Sequence, residues 1–104
     1  MSERDPSRDG ATAVKERTRS RRPAMYKVLL HNDDFTTQEW VVYVLREIFN
    51  KTHPQAVHLM LTVHHHGMAV VGVYARDIAE SYVERVTNES RGAGYPLKVT
   101  AEPE

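Results

Sequence analysis

Three neighbouring polar side chains, Asn32, Asp33 and Asp34, directly follow the apolar run 28–30. Alternate residues of an extended strand project to the same side, so an extended segment would place Asn32 and Asp34 together and Asp33 opposite. An amide oxygen beside a carboxylate is a good acceptor pair for a cation with several N–H donors, such as an ammonium group. The same residue types are common in turns that lead into helices, and a turn is the simpler interpretation of these three residues alone.

His64 ends the apolar segment 59–63, which we predict to be helical. A neutral imidazole accepts a hydrogen bond at one ring nitrogen and donates one at the other. His64 could therefore accept from an ammonium group and donate to a carbonyl oxygen of the same ligand. A histidine at a helix end is more often satisfied locally, so its type and position alone do not assign it to a site.

Other chemistries have less support in the residue spacing. His64, His65 and His66 are consecutive, so on a helix their side chains diverge by about 100° and cannot share one metal ion. The chain has no cysteine, which excludes thiolate metal sites and cysteine nucleophiles. It also has no serine in a nucleophile elbow and no glycine-rich phosphate loop. We therefore predict no metal, no cofactor and no enzymatic activity, and a small metal-binding or general peptide-binding domain remains the alternative.

The size and composition of the chain narrow its class. A chain of 104 residues corresponds to one small domain. The lack of cysteine excludes disulfides. No apolar run is long enough to span a membrane, and none follows Met1 as a secretion signal. These features predict a cytoplasmic protein with no membrane partner.

The net charge is zero, but the charges are unevenly distributed. Residues 1–24 carry seven Lys and Arg against four Asp and Glu, whereas residues 25–104 carry seven against ten. The first segment has too few large apolar side chains to offset the entropy of ordering. We predict a disordered basic tail over 1–24 and a folded core over 25–101. The tail lacks aromatic side chains, so we predict no nucleic-acid partner.

Apolar periodicity predicts three strands and three helices. The strands are expected over 26–31, 69–74 and 96–100, with 102–104 loose. The first helix is expected to begin at Thr36, since Thr36 and Glu39 form a capping-box pattern, and to end at 50–51. The second has the same pattern at Thr52 and Gln55 and stops at Gly67, and the third runs from about residue 75 to Gly92.

The apolar face of each helix follows from the same periodicity. The residues predicted to face the core are Val41, Val44, Leu45, Ile48 and Phe49 in the first helix, Val57, Met60, Leu61 and His64 in the second, and Ile78, Ala79, Tyr82, Val83 and Val86 in the third. The element order β-α-α-β-α-β, with helices on one face of a small sheet, predicts an α+β fold arranged as a two-layer sandwich.

Several of these segments, taken in order, resemble the ClpS adaptor family. The segments are Met25 to Leu30 ahead of the Asn-Asp-Asp triplet, Leu59 to His64, Gly72 to Tyr74, and Pro96-Leu97. The resemblance covers roughly residues 24–100. It implies a three-stranded antiparallel sheet packed on three helices. It also implies an adaptor of the N-end rule, which binds substrates with a destabilising first residue (an N-degron) and delivers them to an ATP-dependent unfoldase and protease.

The resemblance also implies roles for individual residues. Asn32, Asp34 and His64 would bind the α-amine of the substrate, with Asp33 as a near neighbour. The residues expected to line the side-chain pocket are Thr36, Gln38, Val41, Met60, Val63 and Leu97. Gln38 stands where the family commonly has a methionine, and Thr37 stands where it has a proline.

The partners follow from the same resemblance. They are substrate proteins that begin with Phe, Tyr, Trp or Leu, and the N-terminal domain of a Clp-family AAA+ unfoldase. The unfoldase contact is expected near Asp77 and Glu80, at the start of the third helix. The family often has a lysine where this chain has Tyr82. We expect the adaptor to be a monomer.

Overall fold

The computed structural model describes residues 24–104, so the predicted basic tail lies outside the described residues except for its last position. The described part contains three strands and three helices in the predicted order. They are β1 (Met25–His31), α1 (Gln38–Glu47), α2 (His53–His66), β2 (Met68–Ala75), α3 (Arg76–Gly92) and β3 (Lys98–Pro103). The predicted α+β class and element order are confirmed.

The strands form one antiparallel sheet in the order β2-β1-β3, as the resemblance implied. The central strand β1 supplies the consecutive buried residues Val28, Leu29 and Leu30. Leu30 pairs with Ala69 of β2 and Val99 of β3, and all three belong to the core. The helices complete this core from one side of the sheet, which gives the two layers that the sequence predicts.

The first helix begins later than its sequence predicts. The N-cap of α1 is Thr37, whose hydroxyl accepts from the Trp40 amide at 3.1 Å. The predicted cap, Thr36, is instead bonded to Asp33. The capping-box pattern at Thr36 was misleading because the neighbouring Thr37 is an equally good cap. The hydroxyl of Thr36 is already bonded to Asp33. The predicted core residues of this helix, including Val44 and Leu45, are all buried.

The second helix confirms its predicted ends but not its predicted face. Thr52 and Gln55 form the reciprocal capping box, and Gly67 ends the helix with φ 88°. The buried residues of α2 are Ala56 and Val63, whereas Leu61 is 41% exposed. Apolar residues occur on most sides of this helix, so periodicity alone did not select the side that meets the sheet.

The end of the chain is more regular than its sequence predicts. The loose tail predicted over 102–104 is wrong, because β3 continues to Pro103 and the Glu104 amide donates to the Met25 carbonyl at 2.9 Å. In α3, Ile78 is 49% exposed instead of facing the core, while Ser90 is fully buried. Pairing with β1 supplies partners that the local sequence of residues 102–104 does not reveal.

Candidate functional site

The chain turns immediately after β1, and Asp33 holds the turn. One carboxylate oxygen of Asp33 accepts from the backbone amides of Phe35 at 2.8 Å and Thr36 at 2.7 Å. The other accepts from the Thr36 hydroxyl at 2.7 Å. Residues 32–34 therefore form a turn, the simpler interpretation of their residue types, and do not continue as an extended strand, because this side chain closes a compact loop.

These bonds also act on the ionisation of Asp33. Burial by itself would raise the pKa of its carboxyl. The hydrogen bonds from the Thr36 hydroxyl and from the Phe35 and Thr36 amides outweigh that effect and lower the pKa below its ordinary value of 3.8. Asp33 is thus a carboxylate near neutral pH and contributes negative charge to the loop.

A backbone hydrogen bond joins this loop to the end of α2. The Asn32 amide donates to the Gly67 carbonyl at 2.8 Å. Gly67 takes up the left-handed conformation that ends the helix, and β2 begins at the next residue. In this way β1 and α2, which are distant in the sequence, bring the Asn-Asp-Asp triplet and His64 to one place.

Loop and helices enclose a cleft of about 240 Å³. The cleft contains all the residues predicted for amine binding and all but one of those predicted for the side-chain pocket. Its lining residues are Asn32, Asp33, Asp34, Thr36, Gln38, Val41, Met60, Val63 and His64. The structure therefore joins two motifs that the sequence could only place on separate elements.

One side of the cleft is polar and accessible. Asn32, Asp34 and His64 are exposed, and their side chains make no hydrogen bond within residues 24–104. Asp33 also lines the cleft and adds its negative charge. Two carboxylates, an amide oxygen and an imidazole nitrogen together form an acceptor-rich environment for a cationic donor.

The other side of the cleft is apolar. Val41 and Val63 are buried at 6% and 3% exposure, and Met60 is half-buried beside them. Gln38 is exposed at the start of α1. An apolar cavity of about 150 Å³ is sufficient for a benzene ring, so the cleft is large enough for an aromatic side chain next to a charged group.

Leu97 lies elsewhere in the structure. It is 4% exposed and lines a separate cavity of about 340 Å³ with Thr87, Arg91, Pro96, Lys98 and Val99. The structure brings the other predicted pocket residues together but does not include Leu97 among the residues lining the cleft. Its assignment to the side-chain pocket stays a prediction.

The positioning roles of Asp33 and Thr36 were not expected from the sequence. The local pattern predicts a helix cap at Thr36, and the family resemblance implies that Thr36 lines the side-chain pocket and that Asp33 is a near neighbour of the amine site. Their spacing did carry a signal, because an aspartate followed after two and three residues by free amides and a threonine is typical of a side-chain-closed turn. A competing cap pattern at the same threonine concealed that signal.

Asp77 and Glu80 lie on the exposed first turns of α3. Glu80 accepts from the Arg76 guanidinium at 3.1 Å in a solvent-exposed pair.

Within residues 24–104, no group of three or more His, Asp and Glu side chains is placed to hold a metal ion. None of the helices in that range is long and apolar enough to cross a membrane.

The fold and the cleft define a small binding domain, and comparison with known proteins identifies its family. The family model of the ATP-dependent Clp protease adaptor protein ClpS matches residues 21–100. The chain therefore belongs to the ClpS family. Proteins of this family are adaptors of the protease, so the chain is an adaptor and not an enzyme.

Individual relatives agree with this assignment. The ClpS adapter protein of Deinococcus radiodurans is 48% identical over 99 residues, which cover 95% of this chain and 88% of the relative. That of Desulfatibacillum aliphaticivorans is 48% identical over 101 residues, covering 96% and 97%. The solved structure of Agrobacterium tumefaciens ClpS2 bound to L-phenylalaninamide is 44% identical with a TM-score of 0.78, and the match covers 80% of this chain and all of that one.

Proposed function

We propose that this adaptor binds the free amino terminus of proteins whose first residue is Phe, Tyr, Trp or Leu, and delivers them to a Clp-type ATP-dependent unfoldase and protease. The observation that supports this proposal is the cleft, in which ammonium acceptors lie beside an apolar floor. A free N-terminus with a bulky first side chain presents the complementary pair of groups, a cation next to an apolar substituent.

The α-ammonium group has three donors, and the cleft has an acceptor for each. The Asn32 amide oxygen and the Asp34 carboxylate lie on the loop side of the cleft, and the His64 imidazole lies on α2. Asp33 adds charge while its bonds to Thr36 keep the loop in place. Acetylation of the substrate would remove the positive charge and two of the three donors, so it should abolish binding.

The first side chain of the substrate would fill the apolar side of the cleft. Val41, Met60 and Val63 offer a surface for an aromatic ring or a leucine. An additional residue ahead of the bulky one would displace the ammonium from its acceptors. The cleft therefore selects for the position of the bulky residue as well as for its size.

Elementary energetics predict moderate affinity. Each hydrogen bond to a charged group contributes about 1.5–3 kcal/mol, and burial of a Leu or Phe side chain contributes about 1.5–3 kcal/mol. The loss of translational and rotational freedom costs at least about 4 kcal/mol. The sum of these free energies corresponds to a dissociation constant of about 1 μM at best. This affinity suits an adaptor that must release its substrate.

The ligand of the Agrobacterium tumefaciens relative supports the same assignment. L-phenylalaninamide has a free α-amine and a benzyl side chain, and its amide replaces the carboxylate that a free amino acid would carry. It is thus a chemical analogue of an N-terminal phenylalanine. Because that relative is 44% identical with a TM-score of 0.78, we expect a similar ligand to bind this chain.

Delivery requires a second surface, for which we propose the start of α3. Asp77 and Glu80 would contact the N-terminal domain of the unfoldase, and both are exposed. The adaptor would act as a monomer in the cytoplasm. Exchange of Asp77 and Glu80 for alanine should reduce unfoldase binding without changing the affinity for a Phe-first peptide.

The proposed substrate can be tested with three fluorescent peptides that differ only at the N-terminus, namely Phe-first, acetyl-Phe-first and Ala-first. Anisotropy titration should show binding of the first peptide and at least about tenfold weaker binding of the other two, since each lacks one of the two recognition groups. Equal binding of all three would contradict the proposal and favour a general peptide-binding domain. A zinc-dependent thermal shift without a peptide effect would favour a metal-binding domain.

A further inference from the structure

A third cavity, separate from the cleft and from the cavity at Leu97, lies between α3 and the strands β1 and β3. It has a volume of about 300 Å³ and is lined by Tyr26, Glu80, Val83, Glu84 and Ala101. We call it the acidic groove. Val83 and Ala101 are half-buried and form its floor, whereas the two glutamates are exposed at its side.

The charges around the acidic groove are only partly balanced. Glu80 accepts from Arg76 at 3.1 Å, and the next basic residue of the helix, Arg85, is bonded to Glu89 at 2.8 Å. Among the residues that the structure describes, Glu84 has no ion-pair partner. The groove therefore combines a half-buried apolar floor with uncompensated negative charge, and its complement is a basic segment with long aliphatic stems.

The chain itself contains such a segment directly before β1. Residues 17–22 carry four arginines, Arg17, Arg19, Arg21 and Arg22. The described part of the chain begins at residue 24, and Tyr26 lines the acidic groove. Four residues span at most about 14 Å, so Arg22 cannot be far from the groove whatever path the intervening residues take.

We propose that the arginine-rich segment 17–22 docks in the acidic groove of its own domain. The guanidinium groups pair with Glu84 and share Glu80 with Arg76, and the aliphatic stems of the arginines cover Val83 and Ala101. The opposite net charges of the two parts of the chain, 7 − 4 = +3 over residues 1–24 and 7 − 10 = −3 over residues 25–104, favour the same contact.

The short tether makes this docking possible although each contact is weak. Ion pairs between exposed side chains contribute little individually. A segment attached through a few residues, however, has an effective concentration of about millimolar at a site within its reach. A contact that would be unoccupied between separate molecules is then populated within one chain. It should be sensitive to salt, because both partners are exposed.

The proposal can be tested by paramagnetic relaxation in the full-length chain. Because the chain has no cysteine, Ser20→Cys gives a single position for a nitroxide label among the arginines. In about 0.01 M salt, where the Debye length is about 30 Å, amides of residues 80–84 and of Ala101 should be broadened. The broadening rates at these amides should fall at least about twofold in about 1 M salt, where the Debye length is about 3 Å.

Charge variants distinguish the broadening caused by docking from the broadening that the short tether alone would cause. In the labelled chain, E80Q/E84Q should lower the rates at residues 80–84 at least about twofold. The matched variant E39Q/E47Q removes the same charge from exposed positions of α1. It should leave the broadening rates at residues 80–84 unchanged. Equal rates in the E80Q/E84Q and unsubstituted chains would overturn the proposal. Broadening of an isotope-labelled chain by a separate spin-labelled chain would overturn it in favour of docking between two copies.

Discussion

Asp33 and Asp34 are adjacent in the chain but differ in what their carboxylates contact. Asp33 accepts three hydrogen bonds from Phe35 and Thr36 and maintains the loop. Asp34 is exposed at the cleft, and its carboxylate is free to accept from a ligand. At the scale of single residues, one aspartate therefore positions the loop and the other is available for recognition.

The proposed acceptors of the ammonium group are tested by truncation. We expect Asp34→Ala and His64→Ala each to weaken the binding of a Phe-first peptide at least about tenfold, or about 1.4 kcal/mol, because each removes an acceptor for the ammonium group. Fluorescence anisotropy measures the effect. Glu39→Ala removes an exposed acid of α1 outside the cleft and is the matched control. Unchanged dissociation constants for Asp34→Ala and His64→Ala would contradict the assignment.

Gln38 is the residue of the cleft most expected to alter the preference among first residues. Its side chain is similar in length to methionine, but it is polar and hydrogen-bonding, whereas a thioether adapts to apolar groups of different shapes. We expect Gln38→Met to change the ratio of affinities for Leu-first and Phe-first peptides by about threefold or more, with the ammonium contacts retained.

The control for this change is Glu39→Met, which adds the same side chain at the next position along α1, outside the cleft. It should leave the ratio as it is in the unsubstituted chain. If Gln38→Met also leaves that ratio unchanged, the specificity of the cleft does not depend on position 38.

At the scale of elements, the two threonines ahead of α1 have different roles, one in the stability of the helix and the other in the geometry of the loop. Thr37 caps the helix through the Trp40 amide, and Thr36 closes the Asp33 loop. The two threonines are adjacent in the sequence, yet their hydroxyls serve different elements. Substitution of each should therefore affect a different measurement.

We expect Thr37→Ala to lower the free energy of unfolding by about 1 kcal/mol, the usual effect of losing an N-cap, without weakening peptide binding. Thr36→Val keeps the shape of the side chain but removes the hydroxyl that bonds Asp33. It should weaken peptide binding by about threefold or more, because a loop with fewer bonds must be ordered by the ligand. Denaturant unfolding and anisotropy measure the two effects. If Thr36→Val instead lowered the free energy of unfolding and Thr37→Ala weakened peptide binding, Thr36 would be the cap.

At the scale of the whole molecule, a partly buried hydrogen bond joins the first helix to the last. The Trp40 indole N–H donates to the Ser90 hydroxyl at 2.9 Å, and Ser90 is fully buried. Trp40 is also stacked against Tyr95, with ring centroids 5.3 Å apart. These contacts join α1 to α3 and to the segment that leads into β3.

We expect Ser90→Ala to lower the free energy of unfolding by about 1–3 kcal/mol, because it leaves the indole N–H without its partner in a partly buried position. The fluorescence of Trp40, the only tryptophan, reports the unfolding transition in denaturant. Ser81→Ala, at an exposed position of the same helix, should have little effect. Equal stability of the two variants would show that water or another group satisfies the indole.

Much of the fold was predictable from local sequence, and most of the site from the family resemblance. The number, type and order of the elements follow from apolar periodicity, and the ends of α2 follow from its capping box and Gly67. These features are local, since a cap or a periodic stripe depends on residues within one or two turns. The residues of the cleft, with Leu97 as the exception, were expected from the resemblance to the ClpS family and not from local patterns.

Other features were decided only by tertiary contacts. The side of α2 that faces the sheet, the burial of Ser90 and the continuation of β3 to Pro103 depend on partners from distant parts of the chain. The cleft itself depends on the Asn32–Gly67 hydrogen bond, which joins the end of β1 to the end of α2. Sequence alone determined which residues could bind a cation. Only the packing of strand against helix placed them around one cavity, because side chains on separate elements meet through contacts that neither element encodes.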